Sequence, residues 1–268
     1  MTAGAARRVV ALLTDFGSRD HYAGTMKGVI LSICPDVTIV DLTHDIPPHD
    51  VMTGAIELAA SYKYFPAGTI FVAVVDPGVG SARRGLAAEA GGFRFVAPDN
   101  GVLTPVFDEA PPRRVVELTE RRYARPTVSR TFEGRDRFAP AAAWLAKGIE
   151  VTALGRTLTS WQRLEMPAAT VAADAIEGEV IRVDRFGNLV TNIDRRAVDR
   201  LAGAGRIDIT AGGHAIARLA GTYAEAGEDA PCALYGSTDH LEVAVNGASA
   251  AERLGLGRGA RVSIRRLP

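Results

Sequence analysis

The side chains able to do chemistry gather in short stretches of this chain. Asp15, Asp20 and Tyr22 form one, and His44, Asp45, His49 and Asp50 a second. Asp76 and Arg83 form a third, and Thr131, Glu133, Arg135 and Asp136 a fourth. Two polar loops follow near the C-terminus, Asp184-Arg185-Phe186-Gly187-Asn188 and Gly236-Ser237-Thr238-Asp239. The third stretch organises the others. In FVAVVDPGVGSARR an apolar run, Phe71 to Val75, ends on the carboxylate of Asp76. Pro77, Gly78 and Gly80 then impose a tight turn, after which Arg83 is placed to fold back onto Asp76 as an ion pair. A carboxylate at the tip of a buried parallel strand is where open α/β sheets put their chemistry. The same residues are also ordinary turn chemistry with a solvated arginine, and both readings stand on this stretch alone.

The other clusters carry paired readings too. Asp15, at a strand end, suits a bidentate grip on ribose hydroxyls or the capping of the next helix. His44, Asp45, His49 and Asp50 contain metal-ligand types, but Pro47-Pro48 breaks any regular spacing, so loop hydrogen bonding is preferred and no metal is expected. Arg135-Asp136 reads as a helix-entry ion pair or as part of a site. GxGxxG, Walker A, HExxH and GxSxG motifs are missing, so the chain carries none of these standard nucleotide, metalloprotease or serine-hydrolase signatures.

The positioning elements are legible from hydrophobic pattern. Strands are predicted over 8–14, 37–43 and 69–75, separated by helices over about 22–33 and 51–62. Strand-helix-strand-helix-strand order implies right-handed parallel crossovers and a sheet covered on both faces. GLAAEA-GG-FRFVAPD reads as a hairpin, residues 114–118 as a further strand, and residues 131–147 as a helix with Pro140 in its first turn. After Met166-Pro167 the texture changes. Residues 167–177 read as an Ala-rich linker, and from Gly178 short strands alternate with Gly/Asn/Asp turns, the pattern of a small β-barrel. The expected organisation is an α/β domain over 1–166 with a largely parallel central sheet, and a C-terminal β-barrel domain over 178–268.

Composition narrows the partners. At 268 residues and 47% hydrophobic content the chain can bury a sizeable core. Its formal net charge of zero gives no electrostatic ground for a nucleic acid or an acidic membrane. Cys34 and Cys232 are isolated and fit free thiols in a reducing cytoplasm. The N-terminal apolar run, Val9 to Leu13, is too short for a signal peptide and reads as a strand.

Taken together, VDPGVGS-R, TDFG, APDNG, TF-GRD-FAPAAA and DRFGNLVTNI occur in order along nearly the whole chain. In these motifs the chain resembles the S-adenosyl-L-methionine hydroxide adenosyltransferase family, hydrolases related to the fluorinases and chlorinases. The resemblance implies an N-terminal α/β domain, a C-terminal barrel and a homotrimer with active sites between subunits. It implies attack of water or hydroxide on C5′ of S-adenosyl-L-methionine (SAM), giving adenosine and L-methionine, with SAM as substrate and no cofactor. By position, Asp15 corresponds to the ribose-binding carboxylate, Asp20 and Tyr22 to the methionine-amine site, and His49 to the ribose edge. Asp184, Asn188, Tyr223, Ser237 and Gly247 correspond to the barrel residues that grip methionine and adenine.

Asp76 and Arg83 match two members of the family's Asp-Arg-His set. The third departs: the family motif reads Thr-Phe-His-Gly-Arg-Asp, and Glu133 occupies the His position here. Glu133 is therefore open to three readings: a substitute base, an orienter of Arg83, or a change that weakens the site. The halogenating relatives carry Tyr at the position of Asp76, and the 99–130 region is too short for the fluorinase insertion, so water is favoured over halide. A chlorinase-type halogenase and a non-catalytic SAM-binding protein are the alternatives.

Overall fold

The computed structural model describes residues 8–203, 205–227 and 229–267. They divide into two compact units, with the change at Glu165/Met166.

The first unit holds a seven-stranded sheet. Its strands are β1 (Val9–Thr14), β2 (Thr38–Thr43), β3 (Ile70–Val74), β4 (Gly85–Ala90), β5 (Phe93–Pro98), β6 (Arg114–Leu118) and β7 (Gly155–Thr157), in the order β2-β1-β3-β5-β4-β6-β7. β2, β1, β3 and β5 are parallel, while β4, β6 and β7 add antiparallel pairings at one side. The expected largely parallel core is thus flanked by a hairpin extension. Helices α1 (Tyr22–Ile33), α2 (Val51–Ser61), α3 (Thr104–Glu109) and α4 (Ala139–Ala146) cover the sheet.

Alternation along β1 shows how both faces are filled. Val10 and Leu12 join the core beneath α1 and α4, whereas Ala11 and Leu13 join the core beneath α2 and α3. A strand buried on both faces reads as a continuous apolar run, which is why β1 and β3 were plain in the sequence. Phe71 on β3 pairs in register with Phe95 on β5, and their rings stack 5.4 Å apart. Full burial of side chains of this size contributes roughly 1.5–3 kcal/mol each. α2 is capped by Asp50, whose Oδ1 accepts from the Thr53 N–H at 3.0 Å. Gly54 in that helix faces Val75 closely enough that an added Cβ would lie 3.0 Å from its Cγ2. The missing side chain lets α2 sit tight against the carboxyl end of β3.

The second unit is an antiparallel sheet of eight strands: β8 (Thr170–Val171), β9 (Ala175–Val183), β10 (Leu189–Asp194), β11 (Ile207–Ala211), β12 (His214–Ile216), β13 (Pro231–Tyr235), β14 (His240–Val245) and β15 (Arg261–Arg266). Seven run β12-β11-β15-β9-β10-β14-β13, and β8 pairs with β9. A bridge between Leu219 and Ala233 nearly joins the ends into a barrel around Ile176, Leu189, Val243 and Ile264. β8 and the first residues of β9 fall within the Ala-rich 167–177 stretch. Two helices also lie among these strands, α5 (Arg195–Ala202) and α6 (Ala250–Leu254). In α5, Ala197, Val198 and Leu201 are buried at helical spacing, and Asp194 accepts from the Ala197 N–H at 2.8 Å. The two cysteines are buried and unpaired with each other. No helix among the described residues is long and apolar enough to cross a membrane.

Candidate active site

The parallel strands β1, β2 and β3 all deliver their C-terminal ends to one cleft of about 550 Å³. Asp15 and Phe16 follow β1, Pro48 and His49 follow β2, and Asp76 and Val79 follow β3. His21 and Tyr22 come from the start of α1, and Thr131 to Arg135 from the segment leading to α4. This placement follows the rule that ligands bind at the carboxyl ends of an open α/β sheet.

Asp76 and Glu133 both face this cleft, with Arg83 packed against them. One guanidinium nitrogen, Nη2, donates to Asp76 Oδ2 at 2.5 Å and to Glu133 Oε2 at 2.8 Å. Arg83 is almost fully buried, its Nη1 donates to the Arg84 carbonyl at 2.9 Å, and its guanidinium lies over the Phe138 ring. The ion pair expected from the spacing of Asp76 and Arg83 is therefore present. The turn between them needs its glycines: Gly80 has φ of 78°, and a Cβ there would collide with the Arg130 carbonyl oxygen.

Burial raises the Asp76 carboxyl above its ordinary range; Arg83 opposes the shift and Glu133 adds to it. Asp76 Oδ1 is buried and has no hydrogen-bond partner of good geometry among the described residues, while the Gly78 backbone N–H nearby also favours the charged form. A carboxylate of raised basicity, anchored through one oxygen, has the character of a general base.

Glu133 opens a single π-helical turn, Gly134–Phe138, that runs into α4. Such turns widen the helix by one residue and occur often at functional sites. Its Oε1 accepts from Arg137 Nη1 at 3.3 Å. Arg137 is anchored in turn, its Nη2 donating to the Leu118 carbonyl at the end of β6 at 2.5 Å. On the same turn, Asp136 is fully buried and accepts from Arg135 Nε and Nη2 at 2.7 and 2.8 Å and from the Ser129 N–H at 2.8 Å. Burial works against its charge, yet Arg135 and these donors hold it below the usual carboxylate range. The ion pair expected between Arg135 and Asp136 is present, and Arg135 also lines the cleft.

Asp15 does not cap α1. The position before that helix is His21, which makes no side-chain cap. Asp15 Oδ2 instead accepts the backbone N–H of His49 at 2.9 Å, and His49 adopts a left-handed φ of 70°. His44 is tied to Thr14 and Asp41 by contacts of 2.8 and 3.0 Å, consistent with a loop-bonding role. No three metal-ligand side chains converge among the described residues.

Asp15, Tyr22, His49, Asp76 and Glu133 thus share one cleft, while Asp20 is exposed and does not line it. Sequence reasoning passed over Phe16, His21 and Phe132, which with Tyr22 form an aromatic wall: Tyr22 and Phe132 meet edge-on at 5.0 Å, and the Phe16 and Tyr22 rings lie tilted at 5.7 Å. Their signal was adjacency to the flagged acids.

In the second unit, Asn188, Tyr223 and Gly247 line a pocket of about 640 Å³ with Phe186 and Ser249. Asp184 stands behind it, its two oxygens accepting from the Asn188 N–H and Nδ2 at 2.9 Å each. Ser237 is exposed in the turn after β13 and does not line this pocket. Glu242, hidden in the apolar LEVAV run of β14, accepts from the Tyr223 hydroxyl at 3.4 Å. Burial, then the nearby Asp184 charge, raises its carboxyl.

Comparison with known proteins gives this geometry a context. Residues 10–155 match the SAM hydroxide adenosyltransferase N-terminal domain, and residues 178–263 match the C-terminal domain of the same family. The chain belongs to the SAM hydroxide adenosyltransferase family. Its relatives within the wider group include the (R)-S-adenosyl-L-methionine hydrolase of Thermus thermophilus, 40% identical over 96% of this chain and 99% of that protein. The hydrolase of the same name from Salinispora tropica is 36% identical over 95% of this chain and 97% of its own. The fluorinase of Nocardia brasiliensis is 32% identical over 98% and 99%. Among solved structures, an uncharacterized conserved protein from Thermotoga maritima superposes with a TM-score of 0.91 at 33% identity, covering 96% of this chain and all of that one. Within the SAM hydroxide adenosyltransferase frame, the Asp76-Arg83-Glu133 cluster occupies the tip of β3 and the entry to α4.

Proposed function

We propose that this protein hydrolyses SAM to adenosine and L-methionine, with Asp76 as the base. The observation that carries the reading is the buried carboxylate of Asp76 at the cleft, anchored through one oxygen by Arg83. A water held by Asp76 attacks C5′; the new bond joins water oxygen to C5′, and the C5′–S bond breaks. The electron pair stays on sulfur, so the cationic sulfonium leaves as neutral methionine thioether. Asp76 takes the proton from the attacking water. The leaving group needs no proton, so the protein's work is alignment, worth roughly 7–11 kcal/mol, and base assistance, worth about 10²–10⁴-fold.

Asp15 is placed to bind the ribose hydroxyls, with His49 at the ribose edge, and Tyr22 borders the methionine-amine site together with Asp20. Asn188, Tyr223, Gly247, Asp184 and Ser237 provide the methionine and adenine contacts of the second unit. In this reading the protein is a homotrimer, and the first unit of one subunit meets the second unit of its neighbour. Two carboxylates at the cleft disfavour chloride or fluoride as nucleophile by like-charge repulsion.

The test is incubation of the purified protein with SAM and chromatography for products, with and without added chloride. The hydrolase relatives' name specifies the (R) form, so both sulfonium epimers are supplied. Adenosine and methionine in equal amounts support the reading. 5′-Chloro-5′-deoxyadenosine would make the protein a halogenase, and SAM bound without turnover would make it a binding protein.

A further inference from the structure

We propose that Arg137 is a positioning residue for the reaction: it neutralises Glu133, so that Glu133 and Arg137 work as one unit in holding Arg83 on Asp76. The proposal deepens the hydrolase reading and rests on it for its kinetic consequences.

The charges of this cluster balance only when Arg137 is included. Asp76 and Glu133 share a single nitrogen of Arg83. Two carboxylates on one guanidinium leave the set one negative charge in excess, in surroundings where Asp76 and Arg83 are almost fully buried. Arg137 supplies the missing positive charge through its 3.3 Å contact with Glu133 Oε1, the oxygen that Arg83 does not use. Glu133 therefore faces one arginine with each oxygen. The Leu118 carbonyl fixes Arg137 from the opposite side. Sequence separation of four places the pair on one side of the π-helical turn, beside each other.

Other charged groups near Asp76 are already committed or lie further along the cleft. Arg135 is bound to Asp136, and Arg84 to Asp99. From α1, Lys27 is paired with Asp41 at 2.6 Å. From the loop after β2, His49 lines the same cleft, with its backbone N–H given to Asp15. His21 lies in contact with Tyr22 and Thr25. α4 itself, APAAAWLA, brings no ionisable side chain to this face. Among the described residues, Arg137 is thus the cation paired with Glu133 besides Arg83. The raised basicity of Asp76, to which Glu133 contributes, agrees with this arrangement.

The consequence is that Glu133 is an adapted residue and not a decayed one. Removing either partner alone leaves a net charge beside Asp76, of opposite sign in the two cases. Removing both restores neutrality. The test is a cycle of Glu133→Gln, Arg137→Gln and the double variant, with Arg137→Lys as the conservative control. The readouts are kcat and KM across pH and a 13C carboxyl NMR titration of Asp76, assigned with Asp76→Asn.

Arg137→Gln is expected to lower kcat on the order of 10²-fold with KM changed only a few-fold, as expected for displaced catalytic groups. It should also move the acid limb and the Asp76 titration to higher pH. Glu133→Gln should move both to lower pH. The double variant should return the titration near the wild-type position and recover at least tenfold of the kcat lost in Arg137→Gln, and Arg137→Lys, which keeps the charge but not the two-nitrogen anchor, should hold the titration near wild type. An Asp76 titration that stays put in Arg137→Gln overturns the proposal, as do strictly additive effects in the double variant. The NMR arm reads Asp76 without turnover. A wild-type protein that forms no adenosine would sink the hydrolase reading while leaving the charge coupling tested on its own.

Discussion

Replacing Asp76 with asparagine isolates the base from the site around it. The side chain keeps its shape, and its amide oxygen still accepts from Arg83 Nη2, which lies 2.5 Å from Oδ2. What is lost is the ability to take a proton from water. General-base assistance accounts for about 10²–10⁴-fold in rate, or about 3–5 kcal/mol of barrier at roughly 1.36 kcal/mol per tenfold. The positioning contribution, roughly 7–11 kcal/mol, rests on the rest of the cleft and should survive. Asp76→Asn is thus expected to lower kcat by about 10²–10⁴-fold while SAM affinity changes by only a few-fold. Folding should suffer little, because Arg83 keeps the ion pair to Glu133 at 2.8 Å. Single-turnover kinetics following adenosine, with calorimetric titration of SAM on the same preparation, separates the two effects. A kcat within threefold of wild type would remove Asp76 from the chemistry. Loss of SAM affinity matching the loss of kcat would make it a binding group.

Further outcomes follow from the same geometry. The raised Asp76 carboxyl must be ionised to act, so kcat/KM should fall on acidification at a higher pH than an ordinary aspartate would give, measured as the acid limb of a pH-rate profile. The same shift has a sign for stability. With the folded value above 3.8, Asp76's contribution to stability is greatest at acid pH and declines as pH rises through the folded value. Asp136, held below 3.8, contributes above that value and is lost as pH falls through its folded value. Denaturant titrations of Asp136→Asn against wild type should therefore converge at strongly acid pH. Gly80→Ala, forced into a left-handed φ against the Arg130 carbonyl, should cost roughly 1–3 kcal/mol of stability, read as a lower midpoint in urea. Phe132→Ala removes a buried ring from the aromatic wall and should cost about 3–5 kcal/mol; an unchanged thermal midpoint would contradict its structural role.

Much of this site was legible because its key contact is local. Asp76 and Arg83 are seven residues apart across a glycine turn, and the apolar run before them marked a buried strand ending there. Arg135 and Asp136 are neighbours and could be paired by inspection. Contacts between distant segments were not legible: Asp15 meets the His49 backbone from 34 residues away, which is why helix capping remained an open reading. Arg137 escaped notice because its contact with Glu133 sits on a π-helical turn that the pattern of TFEGRDRFAP does not announce. In the second unit α5 was missed because RRAVDRLA carries only three buried positions among charged ones. The Ala-rich stretch that contains β8 and the start of β9 gave no alternation, since alanine looks alike on either face of a strand. Motif position also flagged Asp20 and Ser237, which are exposed and lie outside the linings of the two pockets.

The near-closure of the C-terminal sheet bears on how copies of this protein can meet. Main-chain bonds between Ala220 and Ala233, and between Ala233 and Arg218, occupy the rim where an invading strand would dock. The seven-stranded sheet has its lateral boundaries at β2 and β7, and β7 is only three residues long. A short boundary of that kind gives little purchase for runaway polymerisation through backbone pairing. Backbone pairing through the β7 boundary and through the barrel rim is thereby disfavoured.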